Sequence, residues 1–260
     1  MERFGAWHFG NRLIVAEWND SESTLEQHSD EWTRARLGKL TGSNLHKIVN
    51  AKGAVSKTRK SHMGELMAER FTGIAAATVQ TKAMTAGTEM EAIARFAYEI
   101  RTGNLVTETG FIDHPSVKGF GASPDGMVDD VHLMTGNLGG MEIKCPESKK
   151  AIETLETEEI DTGYILQIYA NMLCSVRPWW EFVSYDSRIP EPADLFIKRV
   201  PFDAAYGLEI MRDVVAFLSE LDTRCKQLIR KRPELAERYA EWEAEAYKGF
   251  QPEKKKRSLI

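Results

Sequence analysis

Apolar residues recur at helical spacing through the first part of the chain. The pattern is helical from Thr24 to Gly73, with interruptions near Gly42 and Gly53. Ser43 stands just ahead of Leu45, Ile48 and Val49, so it is expected to cap a short helix. Met63, Leu66, Met67 and Arg70 set the spacing of a second helix over Ser61–Phe71. A third follows Gly87, with Met90, Ile93, Ala94, Ala97 and Tyr98 on one face and Gly103 as its stop. Residues up to about Asp20 show no clear period and are read as an ordered arm.

The period then shortens. Leu105–Ile112, Gly126–Val131 and Met141–Cys145 read as strands, the last preceded by a Gly-rich hairpin at Gly136–Gly140. A helix over Gly163–Val176 precedes two more strands, Trp179–Tyr185 and Leu195–Val200, and the chain is helical again from Asp203 to Tyr247 with a break near Pro233. Trp179-Trp180 opens a strand, so at least one indole belongs to the core. This order predicts one α/β domain over 1–260: a helical front (24–103), a sheet core (104–202), C-terminal helices (203–247) and a tail (248–260).

Charge changes the picture locally. The chain carries a net charge of −5, yet between Arg34 and Arg70 five Lys and four Arg face two Glu. Such a segment is either a phosphate-binding face held apart from acidic residues or a solvated helical surface, and charge alone leaves both open. The short basic run Lys254–Arg257 reads as a solvated end. Three scattered cysteines, Cys145, Cys174 and Cys225, lack zinc-ligand spacing and suit reduced thiols. With no signal-peptide pattern and no membrane-length apolar run, a soluble cytoplasmic protein is expected, with no membrane partner.

The candidate chemistry lies in the strands. Asp125 occupies the turn Ser123-Pro124-Asp125-Gly126, and seventeen positions later Glu142 and Lys144 alternate along Met141-Glu142-Ile143-Lys144-Cys145. Period two puts Glu142 and Lys144 on one side and Ile143 on the other. Two charges in a buried strand are costly, and a divalent cation bound by Asp125 and Glu142 would relieve that cost. Hard carboxylate oxygens suit magnesium or manganese rather than zinc. A lone Glu-x-Lys is more often an ordinary ion pair or a wet edge strand. The preceding Pro-Asp-Gly turn and glycine hairpin favour the metal site.

Together, Ser123-Pro124-Asp125-Gly126 and Leu138-Gly139-Gly140-Met141-Glu142-Ile143-Lys144-Cys145-Pro146 resemble the PD-(D/E)XK nuclease signature. More closely, the chain resembles the phage lambda-type alkaline exonucleases, or YqaJ-like viral recombinases, from about Trp32 to Tyr185. Trp32-x-x-x-Arg36-x-Gly38-x-x-Thr41-Gly42-Ser43 matches their N-terminal motif, Glu91 after Gly87 their helix carboxylate, and Gln167 with Met172 their late helix. Gly42 replaces a usual Ala, and Tyr169 stands where a second Gln is common.

The resemblance implies a restriction-endonuclease-like core, a central mixed sheet flanked by helices. It implies Glu91, Asp125, Glu142 and the Ile143 carbonyl as metal ligands, Lys144 as the residue that orients or activates water, and Gln167 as its support. Arg36 and Ser43 would form a pocket for a DNA 5′-phosphate. The implied activity is magnesium-dependent 5′-to-3′ degradation of one strand of linear duplex DNA, with manganese substituting. A homotrimer, a single-strand annealing partner and a phage or prophage setting follow from the same resemblance. The rival readings are an endonuclease on the same fold and a catalytically silent DNA-end-binding protein.

Overall fold

The computed structural model describes residues 4–9, 12–17, 25–50, 53–76, 82–129 and 138–248. Its elements in chain order are β1 (Phe4–Phe9), β2 (Arg12–Glu17), α1 (Asp30–Arg36), β3 (Leu40–Thr41), a 3₁₀ turn (Gly42–Lys47), α2 (Arg59–Thr72) and α3 (Lys82–Thr102). Then come β4 (Leu105–Thr107), β5 (Ile112–Asp113), β6 (Phe120–Ala122), β7 (Gly126–Asp129), β8 (Leu138–Lys144), α4 (Ser148–Thr157) and α5 (Thr162–Ser175). The chain closes with β9 (Trp179–Tyr185), β10 (Leu195–Pro201), α6 (Ala204–Lys231), a 3₁₀ turn at Pro233–Leu235 and α7 (Ala236–Ala246). Val131, Gly136 and the Lys254–Arg257 run lie outside the described residues. No described helix is long and apolar enough to cross a membrane.

A five-stranded mixed sheet, ordered β10-β9-β8-β7-β4, carries the molecule. Only the central pair β8–β9 is parallel; the other neighbours run antiparallel. Side chains alternate across it. Met127, Trp180 and Phe182 pack toward α5 and α6, whereas Val128, Met141, Ile143, Trp179 and Val183 pack with Ala94 and Tyr98 of α3. The expected mixed sheet between helical layers is therefore what the chain forms.

A second sheet of three short strands, β3-β6-β5, places β3 and β6 in parallel, Leu40 opposite Phe120 and Thr41 opposite Gly121. Because parallel strands end on the same side, the Gly42-Ser43 and Ser123-Pro124-Asp125 segments leave the sheet side by side. Asp125 thus sits where the chain passes from the small sheet to the large one.

Several sequence expectations need correction. The N-terminal arm is a paired hairpin, β1 with β2. Leu105–Ile112 is not one strand: β4 joins the large sheet, whereas β5 pairs with β6 in the small one. Ser43 does not cap the 3₁₀ turn but lies inside it, after Thr41 at the cap position. Gly139 and Gly140, expected in a hairpin, belong to β8, which begins at Leu138. They are glycines because the Trp179 and Trp180 rings lie directly against them, where a Cβ would overlap the indoles. Both rings are buried. Gly140→Ala is expected to cost about 1–3 kcal/mol through overpacking, read as a lower urea midpoint. An unchanged midpoint would mean that the Trp180 ring can step aside.

Candidate active site

Asp125 follows the last residues of the small sheet, and Gly126 pairs with Met141 as β7 begins. One of its carboxylate oxygens accepts a hydrogen bond from the Ile143 N–H at 2.7 Å. The side chain thereby continues the ladder beyond the last strand pair, which fixes the carboxylate beside β8. Burial raises the Asp125 pKa, against the pull of Lys144 and the Ile143 N–H.

Glu142 and Lys144 share the face of β8 that looks toward α5, as the period of two requires. Glu142 is fully buried. Its Oε1 accepts from Lys144 Nζ at 2.5 Å and its Oε2 from Asn171 Nδ2 at 2.8 Å. Burial first, then Asp125, pushes the Glu142 pKa up to about 8 despite these two donors. Burial works against the Lys144 cation, but Glu142 and Asp125 outweigh it and hold the ammonium well above its ordinary range. The Lys144 ammonium also lies 5.2 Å from the Tyr164 ring centroid. With a side chain 25% exposed, Lys144 is where this buried pair meets solvent.

Two partners were not singled out in the sequence, Asn171 and Tyr164. Both stand on α5, which Asp161 caps through the Gly163 N–H. Tyr164, Gln167 and Asn171 follow the i, i+3, i+7 spacing of one helical face, so Gln167 shares the face that meets Glu142 and Lys144. Asn171 stands on the same face as Gln167, among the buried apolar residues Ala170, Met172 and Leu173. Its Oδ1 is buried without a hydrogen-bond partner. Tyr169 belongs elsewhere, its hydroxyl accepting from the Asp203 N–H at 3.2 Å.

Glu91 comes from α3, on the other side of the sheet. Burial and then Asp125 raise its pKa to about 7, against Lys144 and Arg95. Three carboxylates therefore share one electrostatic field. Among the described residues, however, no three Asp, Glu, His or Cys side chains are gathered closely enough to hold a metal ion. Glu142 is turned to Lys144 and Asn171, and Asp125 to the Ile143 N–H. The donor set still fits a hard divalent cation: an Asp125 carboxylate that raises the pKa of both Glu91 and Glu142, and an unpartnered buried amide oxygen on Asn171.

Arg36 ends α1, its guanidinium carbon 3.8 Å from the Trp32 ring centroid. Burial lowers its pKa to about 10, with Glu69 opposing, so it stays charged at neutral pH. Ser43 is exposed, its hydroxyl 3.2 Å from Thr41 Oγ1. The neighbouring cations do not form one continuous basic face. Lys39 is buried against Asp113, Arg70 against Asp222 and the Gly38 carbonyl, and Arg59 pairs with Glu220. The local positive excess is thus partly spent inside the fold. Gly42 faces Ala170, whose Cβ would lie 2.8 Å from an added one.

The YqaJ-like viral recombinase domain family matches residues 31–177. The structure of LHK-Exo in complex with dAMP is 42% identical, covers 80% of this chain and 100% of that one, and has a TM-score of 0.71. A second structure of this alkaline exonuclease, from Laribacter hongkongensis, matches at 41% identity with the same coverage and a TM-score of 0.71. A phage-related exonuclease from Haemophilus somnus 129PT shares the fold at 17% identity and a TM-score of 0.54, covering 73% of this chain and 96% of that one. No curated protein matches the sequence.

Proposed function

This chain belongs to the YqaJ-like viral recombinase family, and we propose that it is an exodeoxyribonuclease that removes one strand of linear duplex DNA from its 5′ end. The observation that carries the reading is the Asp125 carboxylate, fixed by the Ile143 N–H, beside a buried Glu142–Lys144 pair that reaches solvent through Lys144. The family generally uses divalent metals. Magnesium, with manganese as substitute, suits these oxygen donors. Asp125, Glu142, the Ile143 carbonyl and, for a second ion, Glu91 would hold it. A bound divalent ion polarises the scissile phosphate and makes the attacking water more acidic.

The chain's own groups supply the rest. Lys144 orients the water and offsets charge developing on the phosphate, in a site where its cation is strongly held. Asn171 holds Glu142 in place, and Gln167, on the same helical face, supports Lys144. Arg36 and the Ser43 hydroxyl receive the terminal 5′-phosphate. The exposed strand then serves recombination with a single-strand annealing protein, in a phage or prophage setting, with the enzyme as a homotrimer around its DNA.

Linear duplex labelled separately at each end tests this polarity. The 5′ label is expected to appear as mononucleotide in the earliest products. Early loss of the 3′ label, or internal fragments, would contradict it, the fragments favouring an endonuclease.

Metal binding carries a pH signature. Glu91 near 7 and Glu142 near 8 must lose protons before they can act as ligands. Affinity for magnesium is therefore expected to rise with pH, and binding to release protons. Titration calorimetry in buffers of different ionisation enthalpy reads both. A pH-independent affinity without proton release would remove these carboxylates from the ligand set.

A further inference from the structure

His28 stands beside the Asp125 turn and has no part in the chemistry derived above. The Ser29 N–H closes a turn on the Glu26 carbonyl at 3.2 Å, and His28 holds the third position of that turn with a φ of 69°. A positive φ favours glycine, which would hold this turn with less strain than a side chain bearing a ring. The turn is firmly mounted. Gln27 Nε2 donates to the Pro124 carbonyl at 2.7 Å and to the Thr109 carbonyl at 3.0 Å, so the residue before His28 is bonded to the residue before Asp125. On the other side, Ser29 caps α1 by accepting from the Trp32 N–H at 3.1 Å, and Trp32 Nε1–H donates to Ser123 Oγ at 3.0 Å. The His28 ring lies 5.2 Å from the Trp32 ring at a tilt of 48°, and the residue is exposed. It also acts on the site electrostatically. Burial raises the Asp125 pKa, and Lys144, the Ile143 N–H, Arg95 and then His28 pull it back.

We propose that the exposed imidazole of His28 is a stacking platform for the base of the nucleotide being removed. The inference rests on the reading of Asp125 as the centre of DNA hydrolysis. A nucleotide cut there has to leave its pair and its neighbour, and its freed base gains from a new aromatic face. Phosphate charge is already met by the cations Lys144 and Arg36, neither of which offers a ring. Trp32 has one face against Arg36 and its N–H on Ser123, so it backs the His28 ring and leaves the imidazole as the exposed surface. Every base has a π-face, so such a platform accepts all four, as an enzyme that proceeds along a strand requires. A His28 that merely filled the turn would be replaced by glycine without loss.

The test uses the full chain on linear duplexes with a single-nucleotide 5′ overhang, whose terminal nucleotide either carries adenine or lacks its base. End-binding affinity is measured without magnesium and single-turnover rate with it, for wild type, His28→Gly, His28→Asn and His28→Phe. Wild type is expected to bind the end that carries a base about tenfold or more tightly than the abasic end, and to cut it faster by a similar factor. His28→Gly and His28→Asn both suit a positive φ and lack the ring. Each is expected to reduce the binding preference to within about twofold of unity. An unchanged urea midpoint in His28→Gly separates this lost contact from lost folding. His28→Phe keeps the preference, because it keeps the ring. A wild-type preference in His28→Asn, or its loss in a folded His28→Phe, would make His28 a hydrogen-bonding contact and overturn the proposal. Equal affinity of wild type for both ends overturns it as well. Absence of hydrolysis by wild type on either duplex would remove the nuclease reading, and the end-binding ratio would still decide the stacking. Should His28→Phe fail to fold, as judged by its circular dichroism, His28→Asn alone decides.

Discussion

Glu142→Gln and Asp125→Asn proteins are expected to fold and bind DNA ends but to hydrolyse at least about 10³-fold more slowly than wild type. The isosteric amides are chosen for structural reasons. A carboxamide oxygen at position 125 could still accept from the Ile143 N–H, and one at position 142 could still accept from Lys144 or Asn171. The local frame then survives the loss of charge. Alanine at 142 would instead strand the Lys144 ammonium beside an emptied core position, confusing lost chemistry with lost folding. Lys144→Ala is expected to slow turnover by about 10²–10⁴-fold while changing magnesium affinity much less. Measured rates within about tenfold of wild type in any of these folded proteins would remove that residue from the site.

Arg36→Ala carries the second large effect. Charge-assisted hydrogen bonds to a terminal phosphate contribute on the order of 1.5–3 kcal/mol, or roughly ten- to a hundredfold in rate or affinity. Wild type should therefore prefer a 5′-phosphorylated end by that margin, and Arg36→Ala should erase most of the preference. A guanidinium serving as a general backbone contact predicts something different. Its removal would weaken both kinds of end alike and flatten the salt dependence of binding. Initial rates on both substrates at one salt concentration separate these outcomes.

Local pattern carried the fold a long way. Trp179–Tyr185 is a strand at the residues expected, because its aromatic and β-branched residues favour a buried strand even with Glu181 and Ser184 among them. The α5 boundaries shift by one residue, since Asp161 caps that helix from just outside the expected span. What escaped depends on partners far along the chain. Gly139 and Gly140 look like a turn until the indoles of Trp179 and Trp180 are laid on them. Leu105–Ile112 breaks because its two ends find partners in different sheets. The α4 helix was missed since only Ala151 and Thr154 are buried on it, leaving little apolar signal.

The candidate site divides in the same way. Glu142 and Lys144 could be placed on one face by counting, because a strand's period is two. The support from Asn171, the stacking of Arg36 on Trp32 and the link from Trp32 to Ser123 join segments distant in sequence or depend on side-chain placement, and no local pattern encodes them. The phosphate-face reading of Arg34–Arg70 failed in part for a related reason. Charge counting cannot see that Arg70, Lys39 and Arg59 have acidic partners elsewhere in the chain.

Incubation of the purified protein with linear and covalently closed circular duplexes, with and without magnesium, tests the central claim most directly. Linear duplex is expected to be shortened to mononucleotides and single strands only when magnesium is present, while the circle stays intact. Cutting of the circle, or shortening of linear duplex after complete removal of divalent metal, would contradict a metal-dependent exonuclease built on Asp125, Glu142 and Lys144.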